Sequence, residues 1–156
     1  RWPWKYNIEG GGVMESKACN PRRTIVARLD EGEDLFNSLI ECVEKNGVRS
    51  GIFNFIGGLK RVSYGLYYQG GRKEFKRDAT ECFEILSGTG NITAKEDGIM
   101  VHAHITASDE NDGSAFGGHL MEGSIVYPFA EVYIQEFDSI IEREFDSKIN
   151  LWPIKI

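Results

Sequence analysis

Apolar and polar positions half alternate along the β-branched run Thr24-Ile25-Val26-Ala27-Arg28-Leu29, which predicts a strand from Arg23 to Leu29. The period then changes. Leu35, Phe36, Leu39, Ile40 and Val43 fall on one helical stripe, Asp30 to Glu33 supply acidic residues for its start, and Asn46-Gly47 offers a left-handed stop. No other segment predicts a helix as clearly. Ser50 to Ile56 is apolar on both faces, Gly57-Gly58 interrupts it, and Val62, Tyr64, Leu66 and Tyr68 alternate with a partly polar face. Gly70-Gly71-Arg72-Lys73 reads as a hairpin turn, followed by strands at Thr80 to Ser87 and Asn91 to Lys95 with Gly88-Thr89-Gly90 as a turn between them. Glu96-Asp97-Gly98 turns the chain into a strand from Ile99 to Ala107. Asp109 to Gly118 is polar and reads as a flexible loop, and Ser124 to Phe137 resumes the strand pattern.

The expected architecture is α+β, a mainly antiparallel sheet packed with one principal helix in a single compact domain. Near the C-terminus, Asp138 to Phe145 suits a short helix or strand, and the apolar tail Leu151-Trp152-Pro153-Ile154 is expected to dock on the body or on a neighbour. At the other end, Trp2, Pro3, Trp4 and the run Gly10-Gly11-Gly12 make residues 1–21 a flexible arm or a cloning remnant, with the domain proper at 22–156.

Composition narrows the class. A chain of 156 residues with 41% hydrophobic positions supports one continuous core and is too short for two full-sized domains. No apolar stretch approaches the ~20 residues of a membrane-spanning helix and no signal-peptide pattern opens the chain, so a soluble, cytoplasmic protein is expected. Cys19, Cys42 and Cys82 are widely separated, without a Cys-x-x-Cys pair, and read as buried free thiols. A net charge of -6 weighs against a surface built to grip DNA phosphates. Lys60, Arg61, Arg72, Lys73, Lys76 and Arg77, with Tyr64, Tyr67 and Tyr68 among them, form a basic stretch that suits a solvated sheet edge better than a nucleic-acid surface.

Candidate chemistry concentrates in the histidines. All three, His102, His104 and His119, fall within eighteen positions. On a strand, Met100, His102, His104 and Thr106 share one face, while Ile99, Val101, Ala103 and Ile105 share the other and can be core. Two imidazoles so placed can lean toward one ion, and Gly117-Gly118 before His119 would let its backbone come close to that face. Three imidazoles plus water would make an open zinc site, whereas the alternative is a pair of satisfied polar residues on a solvated strand face. Asp109, Glu110, Asp112 and Glu131 are possible additional groups around such a site, with the loop from Asp109 as its rim. Ser87 and Ser114 lack a nucleophile-elbow pattern, and nothing suggests a Ser-His-Asp triad.

Several segments in order resemble the plant and prokaryote conserved domain, in its stand-alone prokaryotic form. They are Gly51-Ile52-Phe53-Asn54-Phe55-Ile56-Gly57-Gly58, Phe83-Glu84-Ile85-Leu86-Ser87 with Gly88-Thr89-Gly90-Asn91-Ile92, His102-Ala103-His104, Gly117-Gly118-His119-Leu120, and Gly123, Val126, Pro128 and Glu131-Val132. The resemblance implies a homotrimer in which His102, His104 and His119 lie together and hold a metal such as zinc, with Gly117, Gly118 and Glu131 lining the site. It also implies that Phe83, Glu84, Ile85 and Leu86 contact partner proteins, although Glu81-Cys82 stands where plant relatives carry Gly-Arg. No AT-hook of the Arg-Gly-Arg-Pro type occurs in this chain. The expected function is a DNA-associated or regulatory protein with a three-histidine metal site. The alternative is a zinc-dependent enzyme or small-ligand binding protein.

Overall fold

The β-branched run at the start forms β1 (Pro21–Asp30), and the helical stripe forms α1 (Leu35–Lys45). The computed structural model describes residues 14–68, 71–148 and 150–156, with backbone alone at Tyr68, Gly71, Arg72 and Thr80; most of the N-terminal arm and Gly70 of the hairpin turn lie outside these. The Asp34 carboxylate caps α1 by accepting from the Asn37 N–H at 3.0 Å. The helix ends at Asn46, and Gly47 takes a positive φ of 64° as the chain turns out.

The remaining elements are strands: β2 (Gly51–Tyr68), β3 (Gly71–Lys95), β4 (Gly98–Asp109), β5 (Ala115–Leu120), β6 (Ile125–Phe137), β7 (Glu142–Arg143) and β8 (Ile154–Lys155). They belong to one sheet in the order β1-β6-β2-β5-β4-β3-β7-β8, in which β2 and β3 are also hydrogen-bonded to each other. The pairings β2–β3, β3–β4, β4–β5 and β5–β2 therefore close into a circuit, with β6 and β1 continuing the sheet from the first half of β2.

This closure overturns the α+β expectation. Strand accounts for 64% of the described residues and helix for 8%, so the fold is sheet-dominated, with one short helix. α1 forms where the periodicity places it and buries Leu35, Leu39 and Val43 completely. Most of the core, however, comes from the sheet's own inward positions, including Phe53, Phe55, Val62, Phe83, Ile92, Ile105 and Ile134. Within the circuit, Tyr64 stacks on Phe75 with centroids 5.1 Å apart and meets Phe116 at 5.4 Å, and Phe83 meets Phe116 edge-on at 5.2 Å. Among the described residues no helix is long and apolar enough to cross a membrane.

The glycines account for a second correction. Gly88-Thr89-Gly90 is not a turn; it lies in the middle of the 25-residue β3. A Cβ on Gly88 would stand 2.1 Å from the Phe55 ring, and one on Gly90 would stand 2.3 Å from the Phe53 ring. Both glycines are empty positions that let core aromatics lie against the strand. Gly57-Gly58 likewise does not end a strand, because β2 runs through it with register shifts on either side. The polar loop expected from Asp109 to Gly118 is shorter than its composition suggests, since β5 begins at Ala115.

The basic stretch lies on the β2–β3 hairpin, where Gly71 to Asp78 pair with β2 on one side only among the described residues. Arg61 pairs with Asp78 at 2.6 Å, and Lys73 and Arg77 cover the Phe75 and Phe116 rings.

Gly88→Ala is expected to lower the unfolding free energy by ~1–3 kcal/mol, because the added methyl must displace the Phe55 ring. Urea unfolding followed by circular dichroism measures it; an unchanged midpoint would show that the ring relaxes freely.

Candidate metal centre

The alternation along β4 holds. Ala103, Ile105 and Ala107 are buried in the core, while His102 is half-buried and His104 exposed on the opposite face. β5 returns antiparallel to β4 and places His119 directly across from His104. On the other side of β4, Asn91 and Thr89 of β3 stand opposite His102 and His104.

Two missing side chains permit this register. A Cβ on Gly117 would stand 2.1 Å from the Ile105 carbonyl oxygen, and one on Gly118 would stand 2.5 Å from that of Gly65. β5 therefore fits between β4 and β2 with glycine at these two positions, and His119 follows immediately, paired with Gly65 on its β2 side.

The three rings converge. One ring nitrogen from each of His102, His104 and His119 lies within 4.8 Å of the other two. His102 Nε2 and His119 Nδ1 stand 3.0 Å apart, their rings nearly parallel at a centroid distance of 4.9 Å. His104 closes the group with its centroid 4.2 Å from that of His119, and Tyr67 meets His119 edge-on at 4.5 Å.

Burial and electrostatics keep His102 and His119 in their ligating form. Burial first, then repulsion from His119, His104 and Arg143, pushes the His102 pKa from 6.5 down to about 4. Burial and His104 hold that of His119 below its ordinary value. A neutral imidazole has a lone pair to give a metal, so these residues fit a transition-metal ion. With bonds of ~2.0–2.1 Å, two nitrogens on a tetrahedral zinc stand ~3.3 Å apart, only a few tenths of an ångström more than His102 and His119 now have. When bound at such a centre, zinc supplies Lewis acidity and acidifies a coordinated water. His104 faces outward, which leaves access from solvent.

Other expected site residues are dispersed. Glu131 is on β6 between Arg28 of β1 and Ile56 of β2 and is not in the histidine group. Asp109, Glu110 and Asp112 are at the β4–β5 turn, where Asp109 and Asp112 accept hydrogen bonds from Asn111 and Ser114, and none joins the group. Phe83 and Ile85 are buried in the core, while Glu84 and Leu86 face solvent.

The wall of the site comes instead from the C-terminal segment. A cavity of about 480 Å³ is bounded by Tyr67, Met100, His102, His119, Arg143, Leu151, Trp152 and Pro153 among others. Arg143 and Trp152 had no sequence signal beyond an ordinary charged stretch and an apolar tail.

A family model for the Plants and Prokaryotes Conserved domain matches residues 16–138, which include all three histidines and both glycines. The chain belongs to this family. A plant- and prokaryote-conserved protein of Pyrococcus horikoshii superposes with a TM-score of 0.77 at 31% identity, over 90% of this chain and 97% of its own. A protein of Archaeoglobus fulgidus described as metal-containing gives a TM-score of 0.77 at 28% identity, over 92% and 100%. A Bacteroides thetaiotaomicron protein provisionally named as DNA-binding shares the fold, with a TM-score of 0.79 at 20% identity over 88% and 96%. Among curated proteins, the bifunctional protein GlmU of a Synechococcus strain is 27% identical over 85% of this chain, which spans 20% of that protein.

Because the His102 and His119 pKa values are lowered in the folded domain, the unfolded chain takes up protons first as pH falls. In metal-free protein the urea midpoint is therefore expected to be steady above pH 6.5 and to fall between 6.5 and about 4. A His102→Gln variant should show a shallower fall over the same range, and an equal slope would remove His102 as its source.

Proposed function

We propose that this domain is a metal-binding regulatory module that holds one divalent transition metal, zinc foremost, on His102, His104 and His119. The observation that carries this reading is the convergence of three ring nitrogens within 4.8 Å on two paired strands. The lowered basicity of His102 and His119 supports it, because protons compete weakly with a metal there. The Archaeoglobus fulgidus relative, described as metal-containing, points the same way.

The module acts as a homotrimer. Support comes from an apolar sheet face that remains exposed in the single chain: Val26 of β1, Tyr133 of β6 and Ile52 and Ile56 of β2 are each 46–63% exposed. Val26 pairs directly with Tyr133, so these side chains adjoin one another on a regular sheet. Such a patch is what association between copies of a chain covers.

Direct contact with DNA is disfavoured despite the provisional name of the Bacteroides thetaiotaomicron relative. A net charge of -6 repels phosphates, and Arg61, Lys73 and Arg77 are engaged with Asp78 and with aromatic rings. Any association with DNA then runs through partner proteins.

Protein purified without a metal-affinity tag is expected to contain one zinc per chain by elemental analysis. Alanine at His102, His104 or His119 should reduce that content severalfold or more, and full zinc in all three variants would overturn the reading. Light scattering tests the assembly separately. The native domain should run at the trimer mass and an Ile52→Glu, Tyr133→Glu variant at the monomer mass, whereas a native monomer would refute the trimer.

A further inference from the structure

The family model ends at residue 138, yet the cavity beside the histidines is walled by residues beyond it. Arg143 is half-buried there. Its Nε donates to Thr93 Oγ1 at 2.9 Å, its Nη2 to Asn91 Oδ1 at 3.0 Å, and its Nη1 to the Trp152 carbonyl oxygen at 2.5 Å. All three acceptors are neutral, and each terminal nitrogen carries a second N–H that these bonds leave open. Among the described residues no carboxylate is paired with Arg143. Its acidic chain neighbours Glu142 and Glu144 line an adjoining groove that Arg143 also borders, with Glu96, Arg49, Lys95 and Lys155, and Glu144 pairs with Lys155 at 3.1 Å.

A guanidinium fixed by neutral groups, at the wall of a cavity and unmatched by an anion is a recognition element for one. The rest of the lining selects its kind. Tyr67, Met100, Leu151, Trp152 and Pro153 make most of the cavity wall apolar, and a volume of about 480 Å³ admits a small molecule. His102 and His119 stand along the same cavity as Arg143, so one ligand can span both.

We propose that this cavity binds a small carboxylate with an apolar body, its carboxylate on Arg143 and its body between Trp152, Leu151, Tyr67 and Met100. The site rests on the metal reading for its second polar contact, which His102, His104 and His119 provide through the ion. Arg143 and Trp152 are therefore specificity-determining residues of this cavity that lie outside the part of the chain the family model matches.

Titration calorimetry of the zinc-loaded full chain with benzoate tests the inference, with uncharged benzamide as the matched control. Benzoate is expected to bind roughly tenfold or more tightly than benzamide, the size of one charge-assisted hydrogen bond. Arg143→Met should remove that preference while zinc content stays at the native level. Because this substitution also frees the Trp152 carbonyl, the benzoate-to-benzamide ratio on native protein serves as the independent readout. Equal binding of the two probes, or no binding of either at about 10 mM, overturns the carboxylate site. Zinc stoichiometry measured on the same samples separates the two failures. Native zinc without benzoate binding refutes the carboxylate site alone, and benzoate preference without zinc refutes the metal reading alone.

Discussion

Closure of the sheet through β5 is the constraint on which the site depends. β5 pairs with β4 along its length and with β2 at its end, and both contacts require backbone to approach where a side chain would stand. At Gly117 the obstruction would be the Ile105 carbonyl, and at Gly118 that of Gly65. Any larger residue at either position would push β5 outward and open the circuit. The same closure sets His119 across from His104, so the geometry that completes the barrel-like sheet also assembles the three imidazoles.

The site is electropositive by virtue of what it lacks. Among the described residues no carboxylate belongs to the histidine group, and the acidic turn from Asp109 to Asp112 bonds to its own loop. His102 and His119 are held neutral by burial and repulsion from neighbouring groups, and Arg143 adds a fixed positive charge. A divalent ion bound here would keep its net charge of +2, since three neutral imidazoles bring no negative charge to offset it. Cation and anion binding then reinforce each other across the cavity, because an anion on Arg143 reduces the field that a metal must enter.

The legible parts of this protein were those written in local periodicity. The i, i+2 spacing of His102 and His104 sorts side chains to two faces, and the apolar stripe from Leu35 to Val43 specifies a helix, so both were recoverable without knowing the partners of either element. The weight of that helix in the fold was not, because closure of the sheet consists of pairings between distant segments, such as Gly65 with His119. Glycine was the most ambiguous residue. Gly47 ends a helix by its backbone angle, while Gly88 and Gly90 are glycine because Phe55 and Phe53 occupy the space. The same letter serves turn and mid-strand, and only the facing aromatic tells them apart.

Arg143 shows why the cavity wall was least legible. Its partners Asn91 and Thr93 lie some fifty positions earlier, on a strand whose register is fixed by β2 and β4. They become acceptors for Arg143 only because β7 adds beside β3 at Ala94, and because the Ala94 N–H donates to the Ile141 carbonyl at 2.8 Å. That short parallel contact turns a surface arginine into a wall of the histidine site. Strands β1 to β6, the histidines and the glycines belong to the part of the chain that the family model matches, while this docking belongs to the part beyond it. The cavity over these histidines is therefore shaped by a segment that folds back from outside the matched part of the chain.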